Sequence, residues 1–263
     1  MSVGVYADNS VFVDQTGDFN QVTINQDYDG NQVGGVAQGG PGTTNRAIVQ
    51  GSGNSINIEQ IGAGNQLGLS FKNENVGTFG ASVVALANTN NLNYQVYGAN
   101  NTALIDVSAG NGTTWDVAYG NNLNIKQYGS GNQVGVQVQG NNNTIDFRTG
   151  ASGAGNGNDN TVIQSTITGS GNSQNVTFGG GNSNSAQLQQ TGDGNAIGIT
   201  ASGASNQFGV SQDSSTGGAH TFTAGVTGNS NTMSVTQNGG YNSVINVNVS
   251  GSSNSYTINT NAR

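Results

Sequence analysis

Leu123-Asn124-Ile125-Lys126-Gln127-Tyr128-Gly129-Ser130-Gly131-Asn132-Gln133-Val134-Gly135-Val136-Gln137-Val138-Gln139 holds two alternating apolar runs joined by a Gly-x-x-Asn link. Leu123 and Ile125 alternate with polar residues before the link; Val134, Val136 and Val138 do so after it. An apolar period of two marks a strand with one buried face. Gly and Asn tolerate a positive φ, so Gly129–Asn132 reads as a tight turn. The stretch predicts strand, turn, strand.

The phrase at its centre, an apolar residue followed by x-Gln-x-Gly-x-x-Asn, recurs. It is clean at Val13–Asn20, Ile58–Asn65, Ile125–Asn132, Leu188–Asn195 and Val235–Asn242. These supply the expected turn and ladder residues Gln15, Gly17 and Asn20; Gln60, Gly62 and Asn65; Gln127, Gly129 and Asn132; Gln190, Gly192 and Asn195; Gln237, Gly239 and Asn242. The closing asparagines stand 45, 67, 63 and 47 positions apart, each near a multiple of about 22, a solenoid period. A looser Gly-x-x-Asn lies between them at Gly51–Asn54, Gly140–Asn143 and Gly203–Asn206. Turns therefore fall often about every 11 residues, two per coil.

Around these turns the apolar residues hold alternate positions. The expected core comprises Val11, Val13, Ile56, Ile58, Leu67, Leu69, Leu123, Ile125, Val134, Val136, Ile197, Ile199, Phe208, Val210, Met233 and Val235. No segment keeps a 3.6-residue apolar period, so helix is not expected. The predicted fold class is all-β: a β-solenoid of about 22 residues per coil, with two short strands per coil joined by Gly-x-x-Asn turns. No coil buries its apolar face by itself. Stacked at about 4.8 Å, about ten to twelve coils share one core in a rod roughly 50 Å long. Equivalent Asn and Gln amides then lie above one another as ladders. Residues 1–8 read as a short leader or first strand, 9–258 as one continuous solenoid and 259–263 as a tail. Irregular loops are expected near 72–89, 109–120, 148–159 and 212–225; solenoid insertions of this kind line one face.

At this point Leu123–Gln139, with Leu188–Ile199 close behind, resembles a repeat of the curlin family, the subunits of bacterial functional amyloid. The resemblance covers most of residues 9–258. It implies a two-strand-per-coil solenoid that stacks end to end into fibres, on the cell surface or outside the cell, and serves adhesion and biofilm. The chain is longer and less regular than a five-repeat curlin. The eight residues before the repeat are too few for a secretion signal. Either a signal has been removed from the chain or the protein is never exported by that route; the second case points to a bacteriophage virion fibre, spike or decoration with a solenoid shaft. The repeat also reaches close to both ends, leaving no segment for a polar cap, so self-association through open ends is expected.

Composition narrows the chemistry. The 263 residues include 44 Gly, one Pro and no Cys, so no disulfide or thiolate framework exists. The five bases, Arg46, Lys72, Lys126, Arg148 and Arg263, are scattered and form no patch for nucleic-acid phosphates. No apolar run approaches the roughly 20 residues of a spanning helix, so no membrane insertion is expected. His220 is the single histidine, which leaves no histidine pair for zinc and no thiol partner. Asp27-Tyr28-Asp29-Gly30-Asn31 imitates the start of a calcium loop, but Gln38 stands where the bidentate Glu belongs. Acids are dispersed, with Glu59 and Glu74 the only glutamates, so a glycosidase-type carboxylate pair is not indicated. Trp115 with Tyr119 offers an aromatic pair for sugar stacking, against simple packing of the Trp. Thr166/Thr168 and Thr221/Thr223 suit an ice-binding face, but they do not recur every coil. No enzyme activity, metal or cofactor is expected.

Overall fold

In a computed structural model, residues 9–34, 47–71, 89–108, 119–149 and 160–262 are described. The chain first forms β1 (Ser10–Val11), β2 (Val13–Thr16), β3 (Gln21–Asp27), β4 (Gln32–Gly34), β5 (Ala47–Gln50), β6 (Ser55–Ile61) and β7 (Gln66–Phe71). It continues through β8 (Asn91–Tyr97), β9 (Thr102–Ser108), β10 (Asn122–Tyr128), β11 (Gln133–Gln139), β12 (Thr144–Thr149), β13 (Val162–Thr168) and β14 (Ser173–Asn175). Last come β15 (Ser185–Thr191), β16 (Ala196–Gly198), β17 (Gln207–Asp213), β18 (His220–Thr223), β19 (Thr232–Gly239), β20 (Ser243–Asn246) and β21 (Ser255–Ala262).

Among the described residues all pairings are parallel; from β5 onward each strand pairs with the strand two places along, while the split first coils skip two strands, as β1 with β4 and β3 with β6. The first sheet runs β1-β4-β7-β9-β11-β13-β15-β17-β19-β21, with β2 and β5 continuing its first two layers. The second runs β3-β6-β8-β10-β12-β14-β16-β18-β20. The fold is a β-solenoid of two parallel sheets. The described residues make nine full coils and a tenth layer, which span about 45 Å at ~4.8 Å per layer. Full strands are commonly seven residues long, for example β10 and β11.

The alternation read from the sequence becomes the inside and outside of each sheet. In β10, Leu123, Ile125 and Gln127 point in while Asn122, Asn124 and Lys126 point out. Register places like over like: Ile58, Tyr94, Ile125 and Phe147 form one inner column, Ile105 and Val136 part of another. The expected core residues Ile56, Ile58, Leu67, Leu123, Ile125, Val134, Val136, Ile197, Ile199, Phe208, Val210, Met233 and Val235 are all buried. Leu69 lies in β7, with its side chain outside the described set. Val13 is half-buried against the core. Val11 departs from expectation: it points inward over Val33, yet is 47% exposed. It lies in the first described layer, and among the described residues only the layer of Val33 packs on it.

Coil length is less uniform than the expected 22. The step is 22 from Asn9 to Asn31 and from Asn184 to Asn206, but 34 from Asn31 to Asn65 and 36 from Asn65 to Asn101. The longer coils contain residues 35–46, 72–88, 109–118 and 150–159, which lie outside the described set, as do the leader 1–8, Trp115 and three of the expected loops in large part. One insertion interrupts a strand: β4 and β5 flank it and both pair with β7, Gly34 opposite Gly68 and Ile48 opposite Ser70. Other expected boundaries also move. Arg148 and Thr149 complete β12, Gln212 and Asp213 complete β17, and β18 occupies 220–223, so the loop expected at 212–225 reduces to a turn between β17 and β18. The expected tail at 259–263 continues β21 as far as Ala262.

Replacing Ile125 by Asp puts an unpaired carboxylate into a fully buried column. The expected loss is on the order of 3–5 kcal/mol, read by denaturant unfolding; unchanged unfolding would mean that this residue faces solvent.

Candidate functional site

The corners of the coil are held by asparagine. Along one edge Asn9, Asn31, Asn65, Asn101 and Asn132 stand one per coil. The backbone N–H and the side-chain Nδ2 of Asn65 both donate to Asn31 Oδ1, at 2.9 and 3.1 Å. Asn101 repeats this on Asn65 Oδ1 at 3.1 and 3.0 Å, and Asn132 on Asn101 at 3.0 and 3.0 Å. Asn65 Nδ2 also reaches the carbonyls of Gly62 and Gly98. Each amide thus satisfies backbone groups that a turn would otherwise leave unpaired in a buried place. The glycine before it is needed for space as well as conformation. Gly62 has φ +113°, and a Cβ there would overlap the carbonyl oxygen of Gly98 in the next coil.

This ladder has one weak rung. Thr161 donates its N–H to Asn132 Oδ1 at 3.0 Å, but its buried hydroxyl has no partner. Asn184 resumes the series through Asn206, Asn231 and Asn254.

The opposite edge carries Asn20, Asn54, Asn90, Asn121, Asn143, Asn172 and Asn195. The next rung is His220, whose N–H donates to Asn195 Oδ1 at 3.1 Å. The ring is completely buried. Its Nε2 lies 3.0 Å from the Asp213 carbonyl and its Nδ1 3.0 Å from Ser243 Oγ. A carbonyl only accepts, so Nε2 carries the proton and Nδ1 accepts from Ser243 in the neutral ring. The lone histidine is a corner piece.

Asn242, expected as a rung, stands one residue off the ladder. His220 pairs with Ser243, because the turn after Gly239 holds one residue more than the turn after Gly192. Asn242 is exposed, and its Oδ1 accepts from the Ala219 N–H.

The glutamines act across the core. Gln190 Nε2 donates to Gln212 Oε1 at 2.9 Å and Gln212 Nε2 to Gln237 Oε1 at 2.8 Å. The same amides reach carbonyls at the start of opposite strands: Gln190 to Ser173, Gln212 to Ala196 and Gln237 to Thr221. Gln60 accepts from Gln26 at 2.7 Å, and Gln127 accepts from the Tyr94 hydroxyl at 2.7 Å. These are short runs rather than one long ladder, since Gln60 and Gln127 belong to the second sheet and Gln190 and Gln237 to the first. Gln15 joins none of them. It is exposed over Val49 in the first layer, and its one contact, to the Asn20 carbonyl, is 3.5 Å long. Gln212 is a rung outside the Gln-x-Gly-x-x-Asn phrase, as are Asn31, Asn101 and Asn184. The signal for the three asparagines is the position before the Asn, where Gly, Asn or Ser carries a positive φ in turn after turn, as at Gly30, Asn100, Ser183 and Ser205.

Titratable groups are few. Burial holds the Tyr94 hydroxyl far above the usual phenol range. The Tyr97 hydroxyl, donating to Glu59 Oε2 at 2.8 Å, is raised by that hydrogen bond, by burial and by the nearby carboxylate charge. Asp213 is held below the usual carboxylate range, chiefly by hydrogen bonds from Ser215. Thr166 lies in the first sheet and Thr221 and Thr223 in the second, so the two threonine pairs share no face. Comparison of the chain with protein-family models, curated proteins and solved structures found no match.

Two measurements follow from this geometry. Asn65→Ala removes an interior rung and should cost about 1–3 kcal/mol, whereas Asn242→Ala should stay within about 0.5 kcal/mol; equal effects in denaturant unfolding would argue against the ladder. Tyr94 and Tyr97 have folded pKa values above the unfolded value of about 10, so their stabilisation is complete below that pH and is lost as pH rises beyond it. Unfolding should become easier above about pH 10, and Tyr94→Phe should flatten that dependence, as followed by tyrosinate absorbance and circular dichroism.

Proposed function

We propose that this is a non-enzymatic structural protein, a curlin-like solenoid that stacks through its open ends into an extracellular fibre for adhesion or biofilm. One observation carries the reading. Of the six large hydrophobic residues exposed among the described residues, Val11, Phe19 and Tyr28 belong to the first coil and Tyr241 and Val244 to the last. The sixth, Tyr119, lies mid-rod. Exposed apolar groups gathered beside unpaired strand edges favour association.

The end layers also match in character. Val13 in the first layer and Ile258 in the last are both half-buried against the core. Following the register from coil to coil places them in one inner column with Val136, Leu188, Val210 and Val235. A second copy set on either end continues that column and supplies the missing strand.

A second reading draws on coil length. Steps ranging from 22 to 36 residues make the coils non-interchangeable, which suits one defined rod, such as a virion fibre, spike or decoration, whose ends are covered by a different protein.

Negative-stain electron microscopy of the unseeded protein at micromolar concentration should show unbranched fibres. Val11→Lys and Val244→Lys change exposed residues, so the fold should persist by circular dichroism while fibres are lost. Discrete rods from the unaltered protein would overturn end-to-end stacking and favour the second reading.

A further inference from the structure

The outer face of the first sheet carries a groove of about 310 Å³ across β13, β15, β17 and β19. Its walls are two columns of polar side chains: Gln164 and Gln187 in one, and Thr166, Gln189, Ser211 and Thr236 in the other. Gln187 Nε2 donates to Gln164 Oε1 at 3.3 Å. Gly209, in the middle of β17, belongs to the first column and interrupts it between Gln187 and Ser234, which leaves the dent.

Neither space nor backbone conformation requires glycine there, nor at Gly135 of β11 in the same outer column. The backbone of Gly209 is not in the left-handed region, and a Cβ would meet nothing within 4 Å. Corner glycines such as Gly62 differ on both counts. A glycine inside a strand costs stability, and such a position often marks close approach by a ligand. A second cavity of about 370 Å³ lies further along the same strands, lined by Asp213, Ser215, Thr216, Asn238 and Asn261. Asp213, Asn238 and Asn261 share one column, and Ser215 N–H donates to Asp213 Oδ1 at 2.9 Å.

The lining selects the ligand. Neither cavity is lined by Lys or Arg, so an anionic polymer finds no countercharge and meets the Asp213 carboxylate instead. Neither has an aromatic lining residue, and Leu188, Val210 and Val235 are buried beneath the groove, so an apolar partner gains little. Amides and hydroxyls both donate and accept, matching a ligand whose own hydroxyls do the same. A carboxylate at one side accepts hydrogen bonds from hydroxyls strongly. Because layers repeat at about 4.8 Å, an extended chain along the rod meets Gln164 with Thr166 in β13, Gln187 with Gln189 in β15 and Ser234 with Thr236 in β19, with the gap at Gly209 in β17.

We propose that this face of the first sheet is a binding groove for a neutral polysaccharide chain. The inference gives the adhesion reading a substrate class, and it does not require end-to-end stacking. Contact through hydrogen bonds without aromatic stacking is weak for each sugar. Strength comes from many coils, and from many copies where the protein forms fibres.

Affinity electrophoresis in gels containing hydroxyethyl cellulose, dextran or polygalacturonate tests it. Retardation by at least one neutral polymer and not by polygalacturonate is expected. Gly209→Val fills the dent with a strand-favouring residue: binding should fall by about tenfold or more while the unfolding midpoint holds or rises. Gln187→Ala with Gln189→Ala, both at exposed positions, should weaken binding in the same way should the valine variant fail to fold. Absence of retardation in either neutral gel, equal retardation by the anionic polymer, or unchanged binding by folded variants would overturn the proposal. Fibres counted in the same samples separate the outcomes, since loss of stacking with retained retardation bears only on assembly.

Discussion

Parallel stacking in register sets everything else in this molecule. Each residue lies about 4.8 Å from its equivalent in the next coil, so a side chain must suit a near copy of itself. Aliphatic residues meet this condition by contact, and asparagine meets it by offering one acceptor oxygen and two donor hydrogens along the same axis. Charged residues meet it poorly, because like charges in one column repel. The scarcity of charge, 7% of residues, follows from that constraint. Among the described charges, Lys126 stands over Arg148 at the surface, and Arg148 is paired with Asp146 at 3.1 Å.

The corner is where the constraint is hardest to satisfy. A turn leaves backbone groups without strand partners, and the next coil covers them before water can reach them. Gly62 and Asn65 show the solution in two parts: a backbone with room for the neighbouring carbonyl, and an amide that occupies the stranded groups. His220 shows how far it bends. Its backbone N–H keeps the rung bond while its ring finds Asp213 and Ser243 instead of a further amide.

The strands and the core were legible because period two survives every local irregularity. Ile56, Ile125 and Val235 could be assigned from spacing alone, and burial agrees. Stacking register was less legible. Asn242 matches the phrase letter by letter, yet one extra turn residue moves Ser243 into the rung. Gln15 matches too, but a glutamine needs a partner above it, and its column offers Val49. The end layer differs for the same reason: Val11 obeys the alternation, but among the described residues one layer only packs on it. The groove at Gly209 left no pattern at all: one more glycine in a glycine-rich chain means nothing until its backbone and surroundings are seen.

The asparagine ladders also give the rod an arrow. In the rung series Asn31, Asn65, Asn101 and Asn132 each donate a backbone N–H to the Oδ1 of the coil before and accept at their own Oδ1 from the backbone N–H of the coil after. One end of each ladder therefore shows the following coil an oxygen, and the other shows the preceding coil hydrogens. Two rods meeting by like ends would set donor against donor or acceptor against acceptor, while unlike ends continue the series unchanged. Any filament carried by these ladders is therefore polar, with two chemically different tips and a direction that every added subunit inherits.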